Sequence, residues 1–197
     1  MIANVGRPLE FDPDVVLEAA MQVFWAKGYE HTSMQDLLVA MNLSKSSLYQ
    51  AFGGKRQLYQ RCLTRYADQL AGLLYRELTA APSGWRFIEG FLHSVLNDVA
   101  GTCAPRGCLI MNAASEFAQG IPEIAQDVAK SVERFRSALQ SAVERAQCEG
   151  DISVERDART LANYLVSSMS GLKVQAKAGA DAQTLKGIIE VALTALR

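Results

Sequence analysis

The sequence predicts an all-α protein of about nine helices: an N-terminal three-helix helix-turn-helix domain, then a larger C-terminal helical domain. Three observations carry that prediction. Val, Ile and Thr almost never alternate at strand spacing. The 197 residues include only 5 prolines, so long stretches run without a helix breaker. Within those stretches apolar residues return every three or four positions, the period of a helix with one buried face. Hydrophobic residues make up 49% of the chain, enough for a sizeable core.

Residues 1–12 read as a flexible arm, broken at Gly6-Arg7-Pro8, with Arg7 as its one basic side chain and a candidate phosphate contact. Asp12-Pro13 opens the first helix, a capping carboxylate followed by Pro at the first helical position. That helix is expected over 13–27, with Val16, Ala20, Val23 and Phe24 inward, Gly28 as its stop and Tyr29 packing back on the turn. Thr32 or Ser33 caps a second helix, with Asp36 completing a capping box, and Leu37, Leu38 and Met41 bury it. Asn42 supplies the left-handed residue of a tight turn, and Ser44 caps a short third helix over 45–51 with Leu48 and Phe52 inward.

After Gly53-Gly54 a connecting helix is expected over 55–78, with an apolar stripe from Leu58 to Leu74. A loop at 80–84 separates it from a helix over 85–101. A short helix at 108–118, a long one at 123–149 and a final pair at 157–177 and 181–196 complete the chain. The domains are then the arm 1–12, the helix-turn-helix 13–54, and a ligand-binding and dimerisation domain 55–197.

The formal net charge is −1, which taken globally argues against nucleic acid. The distribution reverses that reading. From 37 to 67 there is no Asp or Glu, while Lys45, Lys55, Arg56, Arg61 and Arg65 all fall there. A local electropositive face survives on a slightly acidic chain. The outward residues of the third helix are Lys45, Ser46, Ser47, Tyr49 and Gln50, side chains able to reach base edges and phosphates. A basic run alone is usually only a solvated helix face. An acid-free polar face held by a capped turn points to DNA.

The run Thr32-Ser33, Leu37-Leu38, Met41-Asn42-Leu43-Ser44-Lys45-Ser46-Ser47-Leu48-Tyr49, Ala51-Phe52, Lys55, Leu58 strongly resembles the N-terminal domain of TetR-family transcriptional regulators. Phe24-Trp25-Ala26-Lys27-Gly28-Tyr29 resembles the end of that family's first helix. The close motif spans about 13–63; beyond it the likeness is in helix number and layout. The resemblance implies a homodimer on a palindromic double-stranded DNA operator, and a small-molecule effector in the C-terminal domain that lowers DNA affinity. By position it implies base contacts from Lys45, Ser46, Ser47 and Gln50, and phosphate contacts from Thr32, Ser33, Tyr49 and Lys55, with Ser44 at the helix start. Asn42 stands where the family usually has Gly, and Gly54 where it often has a capping Ser, Asn or Asp.

In the C-terminal half, Trp85, Phe91, Met111, Phe117, Phe135 and Tyr164 are expected around an apolar pocket, with His93, Asn112 and Glu116 orienting its ligand; all are equally ordinary packing residues. The last two helices carry Leu161, Leu165, Met169 and Leu172, then Leu185, Ile189 and Leu193, between small residues. They are assigned to a two-fold four-helix dimer interface rather than to an intramolecular core. Arg106-Gly107-Cys108-Leu109 resembles a subgroup some of whose members sense oxidants or electrophiles through cysteine. Cys108, near a helix start and beside Arg106, is the candidate thiol, with Cys103 as a resolving partner; a small buried core residue is the commoner fate of a free Cys.

The four cysteines match no zinc spacing, and no metal or cofactor is expected. With two histidines and no paired acid–base set, a helical enzyme is the weaker reading, and an activator of the same family is the nearer alternative. No apolar run reaches the length of a signal peptide or membrane span, so no membrane partner is expected and the chain is placed in the cytoplasm.

Overall fold

The computed structural model describes residues 11–102, 104–117 and 122–197, and the described residues form α-helices joined by turns and loops, with no strand. The chain divides into two compact units, Met1–Cys62 and Leu63–Arg197.

In the first unit α1 (Pro13–Lys27) starts where Asp12 accepts a hydrogen bond from the Asp14 N–H at 2.8 Å and ends at Gly28, φ 78°. Its buried face is Val16, Ala20, Met21 and Phe24, with Met21 taking the place expected of Val23. Helix α2 (Met34–Met41) carries the predicted capping box at Ser33 and Asp36 and stops at Asn42, φ 51°. Asn42 is the one non-glycine residue at positive φ among those described, which suits its short polar side chain. Helix α3 (Lys45–Phe52) is capped by Ser44 and buries Leu48 and Phe52.

Helix α4 (Lys55–Ala80) runs through both units. Its first turns complete the N-terminal core. Tyr59 sits edge-on to Phe24 with ring centroids 4.8 Å apart and 5.0 Å from the Tyr29 ring, while Leu58 and Cys62 are fully buried. The N-terminal unit therefore extends about two helical turns beyond the boundary expected after 54. Tyr29 anchors the turn, as its place in the sequence implied.

In the second unit α5 (Gly84–His93) and α6 (Val95–Ala100) replace the single helix expected over 85–101. The break is at Ser94, whose hydroxyl donates to the Phe91 carbonyl at 2.7 Å. Then follow α7 (Leu109–Phe117), α8 (Pro122–Cys148), α9 (Ala158–Lys177) and α10 (Ala182–Thr194). One core joins α4 to α6 with α8, α9 and α10, centred on Ile88, Leu92, Leu139, Val143, Leu165 and Ile189.

Two polar devices lock this core. The Arg145 guanidinium donates to the Leu78 carbonyl at 2.7 Å and to those of Ala81 and Pro82 at 3.2 Å, satisfying the orphan carbonyls at the end of α4. The Glu149 carboxylate accepts the Gly84 N–H at 2.7 Å at the start of α5. That backbone bond, then the Arg145 partner, holds its carboxyl below the usual range.

The assignment of Leu161, Leu165, Met169, Leu172, Leu185 and Ile189 to a dimer interface is corrected. All six are buried inside their own chain, and Leu193 packs against the same core. The apolar residues that α9 and α10 leave outside are Val174, Ile188 and Val191. The larger Leu and Met side chains remove more apolar area from water, so their stripe takes the intramolecular core.

Candidate nucleic-acid interface and interior cavity

The first unit presents α3 outward. Ser44 Oγ accepts the Ser47 N–H at 3.1 Å and lies 2.9 Å from the Ser46 hydroxyl and 2.8 Å from that of Ser47. The first turn is thus a cluster of serine hydroxyls at a helix N-terminus, an arrangement that favours an anion. Lys45, Ser46, Tyr49 and Gln50 are exposed and Ser47 half-buried. No acidic side chain lies on α3. The helix therefore gathers its sequence-predicted contact residues on one solvent-facing surface.

Flanking residues differ in what they offer. Ser33 is exposed, but its hydroxyl is committed to Asp36 Oδ2 at 2.8 Å. Asp36 Oδ1 also accepts Lys27 Nζ at 2.7 Å, and that partner, with the Ser33 N–H, pulls the Asp36 carboxyl down to about 2. Lys55 Nζ sits 4.3 Å from the centre of the Tyr29 ring, a cation–π contact that fixes the side chain despite the uncapped Gly54 before it. Thr32 is a correction. It is 1% exposed and its hydroxyl donates to the Gly28 carbonyl at 2.6 Å, so the side chain braces the turn instead of meeting a phosphate. The arm up to residue 10, Arg7 included, lies outside the described residues.

The second unit holds a half-open cavity of about 270 Å³. Phe91, Met111 and Phe135 line it, as the sequence implied, and the two rings lie 5.8 Å apart. The other expected pocket residues lie elsewhere. Trp85 is in the core with its Nε1–H on Glu89 at 2.7 Å and the Arg197 guanidinium over its ring. His93 is exposed and its Nδ1–H donates to the Glu89 carbonyl at 2.8 Å. Asn112 donates to the Arg106 carbonyl at 2.9 Å, Glu116 is exposed, Phe117 is buried, and Tyr164 packs against the core; none of them reaches the cavity. A helix of mixed neighbours shows which residues are apolar, not which of two buried faces meets a void.

Unforeseen lining comes from α4, where Tyr66, Leu70, Leu73, Leu74 and Glu77 form one stripe. Asp98 of α6 and Lys173 of α9 also line the cavity and pair at 2.8 Å. The spacing of the α4 residues was legible as one helix face, but only folding shows that its far end borders empty space. Cys108, just ahead of α7, lines the same cavity, and the Tyr66 hydroxyl donates to its sulfur at 3.8 Å. Burial, then the neighbouring thiol, pushes the Tyr66 phenol well above its ordinary range. Cys103 lies outside the described residues. No helix among the described residues is long and apolar enough to cross a membrane.

Comparison with known proteins agrees with this geometry in both units. Residues 16–62 match the model of bacterial regulatory proteins of the tetR family, and residues 84–192 match a tetracyclin repressor-like C-terminal domain. The chain is 31% identical to YezE, an uncharacterized HTH-type transcriptional regulator of Bacillus subtilis, over 98% of this chain and 100% of that protein. It is 29% identical to the HTH-type transcriptional repressor ComR of Escherichia coli, over 98% of this chain and 90% of that one. Among solved structures, a cysteine-substituted variant of the TetR family regulator CifR, complexed with 26-base-pair double-strand operator DNA, superposes with a TM-score of 0.82 at 31% identity, covering 97% of this chain and 100% of the other. The chain belongs to the TetR family of bacterial regulatory proteins, and is a DNA-binding transcriptional regulator rather than an enzyme.

Proposed function

We propose that this regulator is a cytoplasmic, homodimeric repressor that holds a palindromic operator and releases it when a small ligand enters the cavity of the second unit. The observation that carries the DNA reading is the exposed, acid-free face of α3 behind its serine cap. Lys45, Ser46, Ser47 and Gln50 read base edges, while Tyr49 and Lys55 hold phosphates and Ser33, its donors held by Asp36, sets the start of α2. Repression is supported by the likeness to ComR, and operator binding by the likeness to CifR on its DNA. Helix α4 belongs to both compact units and is the covalent route by which an occupied cavity reaches the reader.

Fluorescence anisotropy on a palindrome selected from random duplexes tests this. The affinity should fall steeply with salt, and Lys45→Ala should weaken binding by about tenfold or more. A flat salt dependence, or an unchanged affinity in Lys45→Ala, would overturn it. A second release route is favoured by Cys108, whose sulfur lines the cavity under the Tyr66 hydroxyl. Oxidant-induced release that survives Cys108→Ser would remove that route and leave the ligand route standing.

A further inference from the structure

We propose that the cavity takes an amphipathic organic cation, a protonated or quaternary amine on an apolar or aromatic body. The proposal rests on the reading of this cavity as the effector site and names its ligand class. The charged side chains of the lining are Glu77, Asp98 and Lys173. Asp98 and Lys173 are joined at 2.8 Å and neutralise each other. The Glu77 carboxylate makes no ion pair or side-chain hydrogen bond among the described residues. One uncompensated negative charge, on an exposed side chain, therefore stands at the mouth of a slot walled by Leu70, Leu74, Phe91 and Phe135, where a ligand's cationic head can stay near solvent while its body enters.

Geometry adds to charge. Glu77 lies about three helical turns along α4 from Tyr66, so the charge sits at one end of the slot, with Leu70 and Leu74 between. Phe91 and Phe135 both line the space with their rings inclined at 57°, offering aromatic surface to a cation. An anion has no comparable seat. The one cation in the lining is Lys173, already bound to Asp98, and an anion would bring a third negative charge beside Asp98 and Glu77. A neutral ligand gains the apolar walls but nothing from Glu77.

Titration calorimetry on the full chain isolates the charge with a pair of probes of one shape: benzyltrimethylammonium and neopentylbenzene, with phenylacetate as the anion. The cation should bind at least about tenfold tighter than its neutral isostere, and Glu77→Gln should close that gap to about twofold. Leu73→Trp is the test of site. Leu73 lines the cavity yet is 43% exposed, so a larger side chain there narrows the entrance without straining the core. If neopentylbenzene or phenylacetate binds as tightly as the cation, and Leu73→Trp weakens it, the cavity remains a ligand site and the cation proposal alone is overturned. If no probe binds, or binding ignores Leu73→Trp, the reading of the cavity as effector site falls and takes this proposal with it.

Discussion

Asp36 ties three parts of the reader together. One carboxylate oxygen accepts Lys27 Nζ from the end of α1 at 2.7 Å, and the other accepts the Ser33 N–H at 2.9 Å and the Ser33 hydroxyl at 2.8 Å. Its carboxyl is lowered to about 2 from an ordinary 3.8, so the folded state holds the ionised form more strongly than the unfolded chain does. The stabilisation is fully present above about pH 4 and is lost as the pH falls through about 2. Glu149, Asp157 and Asp181 are depressed as well, so acid destabilisation is shared, and the difference from a variant is the readable quantity. Asp36→Asn should lower the urea midpoint at pH 7, with the gap to the wild type narrowing below about pH 4 and closing only below about pH 2; a gap that stays constant as the pH falls would refute the assignment. The capping box, the Asn42 turn and the Ser44 cap were legible in the sequence because each lies within three residues of its partner. The Lys27 contact, nine residues away, was not. Thr32 misled because a hydroxyl at a helix start looks the same in sequence whether it faces solvent or the preceding turn.

Helices were legible as elements, and their packing partners mostly were not. The 3.6-residue period located nearly every one, since it depends on one chain's own spacing. It cannot say where two helices come closest. Gly84 is such a point: it opens α5 against the backbone of α8. A Cβ built on it would lie 2.5 Å from the Ala146 nitrogen and 2.6 Å from the Ala142 oxygen. Intrinsic propensity predicts that Gly84→Ala stabilises a helix, by up to about 1 kcal/mol. Contact geometry predicts the reverse, because both neighbours are main-chain atoms with nowhere to turn. Gly84→Ala should lose about 3 kcal/mol as α5 lifts from α8, weakening the Gly84 to Glu149 hydrogen bond on the way. Urea denaturation gives the sign directly, and a stabilised variant would show that α5 and α8 are less closely seated. The same gap explains the cavity. Tyr66, Leu70, Leu74 and Glu77 share a face of α4 that the sequence displayed, but a void is a property of several helices at once.

At the scale of the whole molecule, the question is what covers the outer face of α9 and α10. On α9 Val174 is 64% exposed, and on α10 Val191 and Ile188, one turn apart, are 70% and 38% exposed. Gly171 and Gly187 lie on the same two helices, and a Cβ added at either would meet nothing within 4 Å. β-Branched residues between glycines make a smooth apolar surface that lets another helix pair approach closely, and a two-fold axis through it would match the face with itself. We propose this face as the dimer interface, in place of the Leu and Met stripe. Two substitutions separate the alternatives. Val191→Arg sets a charge on an exposed site, so helicity and unfolding of the single chain should barely change while sedimentation velocity reports monomers. Operator affinity should fall with it, since each monomer then holds one half-site alone. Leu165→Ala acts on a residue with 0% exposure, so it should cost about 2–5 kcal/mol of folding stability and loosen the protomer itself. A Val191→Arg protein that still sediments as a dimer, or a Leu165→Ala protein that dissociates while each protomer keeps its stability, would return the interface to the buried stripe.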